Sequence, residues 1–216
     1  MSGQEFDRLR RAMVSNQLRT NAVADAAVLA AMETVPREAF VGEGQGAVCY
    51  RDTIVPLGDG RGLNPPIATG RLLAAAKPVA GERALVIGAG TGYTAALLAA
   101  LGCYVTALEE SPDLAERAER ALAGSGVALV KGPLLVGWAA DAPYDIIFVD
   151  GAVESIPDAI VDQLADGGRL VSVMLDRGVT RLALGRRAAG GFGLSCFADV
   201  EAATLPGFAP APAFTF

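Results

Sequence analysis

A short apolar run, Arg83–Ile87, leads into Gly88-Ala89-Gly90-Thr91-Gly92 and then into a helical pattern from Tyr93 to Leu101. Of all stretches in the chain, this one leaves the fewest alternatives. Glycine takes positive φ and lets backbone approach a ligand closely. The start of the helix presents N–H groups without intrahelical partners. A strand that turns over glycines into a helix is the opening unit of a doubly wound sheet, whose ligands bind where the strand order reverses. The spacing is G-x-G-x-G, with Tyr93 standing where the dinucleotide fingerprint G-x-G-x-x-G has its third glycine. This suits an adenosine ligand without a pyrophosphate and argues against an NAD-dependent oxidoreductase.

The surrounding pattern agrees. Strands are expected at Tyr104–Leu108, Val127–Lys131, Asp145–Val149 and Arg169–Leu175, with helices between them. One helix is capped by Ser111 and runs from Pro112 to about Ala123, and another covers Ile156–Leu164. Alternating strands and helices imply a parallel sheet with helices on both faces. Two further strands are expected near Thr180–Arg186 and Leu194–Ala202. Prolines 206, 210 and 212 keep the tail Leu205–Phe216 from being a regular strand throughout.

Before the glycine turn, helical spacing is expected over Gln4–Arg19. A helix capped by Asp25 follows over Ala26–Thr34, then a short turn over Pro36–Phe40. Residues 42–66 are rich in Gly, Pro and Asp and read as loops with at most one short strand. A loop this long in a compact domain is usually functional. A helix over Ile67–Ala76 closes this part.

The charge balance narrows the partners. Net charge is −6, and the basic clusters Arg8/Arg10/Arg11 and Arg181/Arg186/Arg187 are short. Nucleic-acid binding, which needs a basic footprint, is not expected. Three widely spaced cysteines without a C-x-x-C pair point to neither a disulfide framework nor a metal site. The chain has no histidine, which removes histidine bases and most histidine-ligated metals. Ala84–Leu108 carries no charge, but its glycines divide it into shorter elements, so no membrane span is expected. The expected setting is the cytoplasm.

Two carboxylates accompany the glycine turn. Glu109 ends the second strand about 20 residues on, where an acceptor-only carboxylate can hold both ribose hydroxyls. Its neighbour Glu110 is a second candidate or a helix-start charge. Asp150 ends the fourth strand and faces the same crevice, or caps the following loop. Gly132-Pro133-Leu134, after the third strand, is positioned to border an adenine ring. Trp138 reads as a packed loop aromatic.

Several segments resemble the protein-L-isoaspartate O-methyltransferases. Met32-Glu33-Thr34-Val35-Pro36-Arg37-Glu38-Ala39-Phe40-Val41 is similar to that family's M-x-x-V-P-R-E-x-F-V. Tyr50-Arg51-Asp52 with Pro56-Leu57-Gly58, the glycine turn with Tyr93, and Glu109 followed by Pro112 also match. So do Ala142-Pro143-Tyr144-Asp145, Ile156-Pro157 and Gly167-Gly168-Arg169-Leu170-Val171. The resemblance implies a Rossmann-like class I methyltransferase fold of the α/β class, with a mostly parallel seven-stranded sheet and N-terminal helices. It implies one domain over 1–216, with helices and substrate loop in 1–78, the cofactor-binding core in 79–176, and strands and tail in 177–216. It implies S-adenosyl-L-methionine as cofactor, S-adenosyl-L-homocysteine as product, and isoaspartyl peptides or proteins as substrate. Gly88, Ala89, Gly90, Thr91, Gly92, Glu109, Glu110, Gly132, Pro133, Leu134 and Asp150 would bind the cofactor. Asn64, aligned with a family serine, would meet the substrate carboxylate. The chain departs from the family at Gly60-Arg61-Gly62-Leu63-Asn64-Pro65-Pro66, where the family reads G-Q-T-I-S-Q-P, and at Val86 and Gly132-Pro133-Leu134. A different acceptor, or cofactor binding without catalysis, stays open.

Overall fold

The structure, a computed structural model, describes residues 1–209. The end of the expected tail, residues 210–216, lies outside the described residues. The glycine turn sits at the centre of a sheet ordered β5-β4-β3-β6-β7-β8-β9. Its strands are β3 Arg83–Ile87, β4 Tyr104–Glu109, β5 Ala128–Lys131, β6 Tyr144–Val153, β7 Leu164–Asp176, β8 Val179–Ala188 and β9 Gly191–Asp199. The first five run parallel, and β8 and β9 are antiparallel. The strand order reverses beside β3, which is where such sheets bind ligands.

Side-chain alternation along the central strands divides the core. Ala84 and Val86 of β3, with Ile146 and Phe148 of β6, face one apolar layer. Leu85 and Ile87, with Ile147 and Val149, face the other. On the first face lie α1 Gly3–Met13, α2 Ala26–Thr34, α3 Pro66–Ala76, α4 Tyr93–Ala100 and α5 Pro112–Ala121. The second face is covered by the short α6 Asp158–Val161, by Leu134, and by Leu205 and Phe208 of the tail.

The helix starts have visible causes. Ser2 and Glu5 form a reciprocal capping box on α1. Asp25 accepts the Ala27 and Val28 amides at 2.9 and 3.1 Å, so α2 begins where the sequence places it. The expected helix over Gln4–Arg19 instead changes at Val14 into a π turn to Leu18, then a 3₁₀ turn to Asn21. Residues 42–66 hold two short strands rather than one, β1 Val55–Gly58 and β2 Arg61–Leu63, paired as a hairpin. The expected helix over Ile156–Leu164 shrinks to α6 because Gln163 leaves it. The Gln163 carbonyl accepts the Tyr144 amide at 2.8 Å, and its side chain bonds Trp138, Val136 and Ala159. Strand β6 continues past Val149 with a break in pairing between Phe148 and Ala152. Strand β9 ends at Asp199, three residues before the expected Ala202.

Arg169 of β7 joins distant parts of the first face. Its guanidinium donates to the Ala76 and Lys77 carbonyls at the end of α3 and forks onto Glu82 at 2.8 and 2.6 Å. Burial pushes the Glu82 carboxyl up, but the Arg169 guanidinium and the Val79 amide together outweigh it and hold the group below its ordinary value.

Candidate active site

The turn after β3 is braced by its own strand neighbours. The Gly88 and Ala89 amides both donate to the Leu108 carbonyl at 3.0 Å, and Gly92 N–H donates to Ala89 at 2.8 Å. Gly88, Gly90 and Gly92 have φ of +75°, +59° and +100°, which only glycine adopts without strain. Thr91 is buried, and its hydroxyl donates to the Phe40 carbonyl at 2.6 Å, tying the turn to the N-terminal segment.

Glu109, at the end of β4, is fully buried. Its Oε2 accepts the Gly90 amide at 2.7 Å. Its Oε1 accepts the Glu110 and Ser111 amides at 3.0 and 2.9 Å and the Arg61 Nη1 at 2.9 Å. The second arm of the Arg61 fork donates to the Gly88 carbonyl at 2.8 Å. One guanidinium from the β1–β2 hairpin thus lies against both the carboxylate and the glycine turn. Glu110 has an exposed side chain and reaches this cluster only through its backbone.

Asp150 lies within β6, at the break in pairing rather than at the strand's end. Burial pushes its carboxyl above the ordinary aspartate value, opposed by the Thr94 hydroxyl, the Asn64 amide and the Arg61 and Arg37 cations. Asn64 is buried, and its amide nitrogen donates to Asp150 Oδ1 at 2.8 Å while its Oδ1 accepts the Ala203 amide at 2.9 Å. The Asn64 side chain therefore links the loop after β2, β6 and the tail.

Behind Asn64 stands Arg37, fully buried and with no carboxylate bound to it among the described residues. It donates to the Cys49 carbonyl at 2.6 Å and to the Asn64 carbonyl, and its guanidinium carbon sits 4.7 Å from the Tyr93 ring centre. Among the described residues, its Nη1 and the Tyr93 hydroxyl have no hydrogen-bond partner. In the sequence, Arg37 stands inside Val35-Pro36-Arg37-Glu38 with nothing to mark it as a site residue.

The tail closes the crevice. Ala203 and Leu205 pair with Ala152 through bonds of 2.7 and 2.9 Å. A Cβ on Gly88 would lie 2.7 Å from Leu205 Cδ1, and one on Gly151 would lie 2.7 Å from Leu205 Cβ. Gly132 borders the far side. Its amide donates to the Glu109 carbonyl at 3.2 Å, and its α-carbon faces the Leu108 and Trp138 side chains. Pro133 is exposed, whereas Leu134 is buried in the second core layer. The structure thus gathers Gly88–Gly92, Glu109, Asp150 and Asn64, and adds Arg61 and Leu205. Nothing in the sequence of this Gly/Pro/Asp-rich loop marks Arg61 as belonging here. Among the described residues no group of three or more Cys, Asp or Glu is placed to hold a metal ion.

Residues 8–191 match the family model of protein-L-isoaspartate(D-aspartate) O-methyltransferase. The chain belongs to that family. A protein-L-isoaspartate O-methyltransferase of Methanoculleus marisnigri is 40% identical over 175 residues, covering 80% of each chain. One from Methylorubrum populi is 41% identical over 184 residues, covering 84% of this chain and 87% of its own. A solved protein-L-isoaspartate O-methyltransferase superposes with a TM-score of 0.81 at 24% identity, over 92% of this chain and 66% of that one. A Plasmodium falciparum structure described as a β-aspartate methyltransferase of this family, in complex with S-adenosyl-L-homocysteine, superposes at 0.76 and 21% identity. It covers 91% of this chain and 97% of its own. These superpositions establish the class I methyltransferase fold. Within the family pattern, this chain's departures at Arg61 and Asn64 are the residues bonded to Glu109 and Asp150.

Proposed function

We propose that this protein is an S-adenosylmethionine-dependent methyltransferase that esterifies the α-carboxylate of L-isoaspartyl residues in damaged peptides and proteins. The observation that carries the reading is a buried carboxylate, Glu109, held 2.7 Å from the Gly90 amide at the reversal point of a sheet whose sequence matches the family over residues 8–191. The residues fit the cofactor in kind. An acceptor-only carboxylate suits a ribose diol, and the positive-φ glycines of the turn let backbone approach a ligand closely. Glu109 would hold the ribose, the backbone of Gly88–Gly92 would face the amino-acid portion, and Gly132 would border the base. A cytoplasmic setting belongs to the same proposal and is supported by three free cysteines.

The bound cofactor supplies an electrophilic methyl group on a sulfonium. A carboxylate acceptor, with an ordinary pKa of about 4, is already ionised at neutral pH and needs no general base. A chain without histidine suits this chemistry. The protein's work is to position the acceptor and exclude water. Leu205 shields the crevice. Asn64 fixes Asp150 and the tail, and its second amide hydrogen is available to an acceptor carboxylate.

The test is transfer of labelled methyl from S-adenosylmethionine to an isoaspartyl peptide, with its aspartyl twin as blank. Turnover on the isoaspartyl peptide alone is expected. Binding of S-adenosylhomocysteine without such turnover refutes the substrate assignment and favours a different acceptor, the second reading that the altered loop Arg61–Pro66 admits. For Asn64, Ala should raise the peptide KM and lower kcat, and Ser, the family residue, should restore both. Full turnover by Asn64→Ala removes the residue from the mechanism.

A further inference from the structure

An ionised carboxylate offers about four lone-pair sites. Glu109 already accepts four donors: the Gly90, Glu110 and Ser111 amides and the Arg61 guanidinium. Three of these, the Glu110 and Ser111 amides and Arg61, crowd onto Oε1, while Oε2 holds the Gly90 amide, so with Arg61 in place a ribose diol finds room for one hydroxyl at most. The three amides are fixed by the glycine turn and by the start of α5, and they cannot leave without unfolding those elements. Arg61 is different. It is a side chain on a two-strand hairpin whose tip, Gly58, Asp59 and Gly60, is exposed. Its other arm lies on the Gly88 carbonyl, so it covers the first glycine of the turn as well. Leu205 packs over the same glycine.

Building on the S-adenosylmethionine reading above, we infer that Arg61 is an internal competitor for the cofactor site, bound to Glu109 in place of the ribose and displaced when cofactor enters. Arg61 thereby sets cofactor affinity. The exchange keeps the buried carboxylate bonded, because a hydroxyl donor takes the place of one arm of the guanidinium. The hairpin need not detach. Ser111 Oγ, on the cap of α5, donates to Asp59 at its tip at 2.7 Å, so the loop can stay tethered while the Arg61 side chain withdraws.

The experiment is calorimetric binding of S-adenosylhomocysteine to the full-length protein, to Arg61→Gln and to Arg61→Lys. Arg61→Gln should bind at least tenfold tighter than the unaltered protein. Arg61→Lys, which keeps the charge but loses the fork, should fall between. Equal or weaker binding by Arg61→Gln, with clear binding by the unaltered protein, overturns this inference and leaves the proposed function standing. Absence of binding by all three overturns both. If Arg61→Gln does not fold, a crystal structure of the unaltered protein with S-adenosylhomocysteine decides. Arg61 off Glu109 supports the exchange, and Arg61 still bound to it refutes the exchange.

Discussion

Alanine at Gly88 tests whether the chain itself fills the crevice over the glycine turn. The new Cβ would lie 2.7 and 3.0 Å from the two Leu205 methyls and 3.1 Å from Arg61 Nη2, at a φ of +75°. Left-handed backbone costs an L-residue about 1–2 kcal/mol. Forcing a methyl into a filled space adds about 1–3 kcal/mol. Leu205 cannot simply retreat, because its amide is bonded to the Ala152 carbonyl at 2.9 Å. Gly124 isolates the second contribution, since its φ is +79° and a Cβ there meets nothing within 4 Å. Urea unfolding should therefore place Gly88→Ala about 1–3 kcal/mol below Gly124→Ala. Thermal midpoints should differ by roughly 2–4 °C for each of those kcal/mol in a domain of this size. Adding Leu205→Ala to Gly88→Ala should return part of the loss as a positive coupling. If Gly88→Ala costs no more than Gly124→Ala, Leu205 and Arg61 do not sit over the turn, and the crevice is open.

Arg169→Met should destabilise the protein by about 3–5 kcal/mol, because it strands Glu82 and leaves the end of α3 without its donor. Removing Arg181, whose ion pairs are exposed, should change stability by less than about 1 kcal/mol in the same urea titration. Glu82 sits below its ordinary value when folded, so its pairing contributes fully above the unfolded carboxylate range and is lost as pH falls through the lower folded value. The Arg169→Met deficit should therefore narrow in acid, and a deficit constant from pH 7 to pH 3 contradicts the pairing. Asp150 has the opposite sign. Its carboxyl is raised, so ionisation opposes folding as pH rises past the unfolded value. Asp150→Asn should hold or gain stability at pH 7, with the gain shrinking as the pH drops toward the carboxylate range, while methyl transfer falls. Lower stability at pH 7 than at pH 4, relative to the unaltered protein, refutes that sign.

Local chemistry made much of this legible. Asp25 fixes the start of α2, Ser111-Pro112 that of α5, and Gly88–Gly92 the passage from β3 to α4, because each signal acts within a few residues. What escaped was set by partners far along the chain. Gln163 leaves its helix for Tyr144 of β6, and the hairpin forms where prolines and glycines read as loop. Of the site, the glycines and Glu109 were visible from spacing. Arg61 was not given a role, since its partner is 48 positions away, and the bonds of the Asn64 amide to Asp150 and Ala203 were not legible, because those partners lie 86 and 139 positions away.

The shared family pattern stops at residue 191, yet Ala203–Leu205 lies against the heart of the shared site. The wall over that loop is thus drawn from a segment outside the family match. Substitutions at Ala203 or Leu205 change what reaches the loop without altering a strand of the sheet. For the experimenter the same arrangement means that a purification tag at the C-terminus is not a neutral choice. Kinetic comparisons with relatives should use proteins whose natural ends are intact.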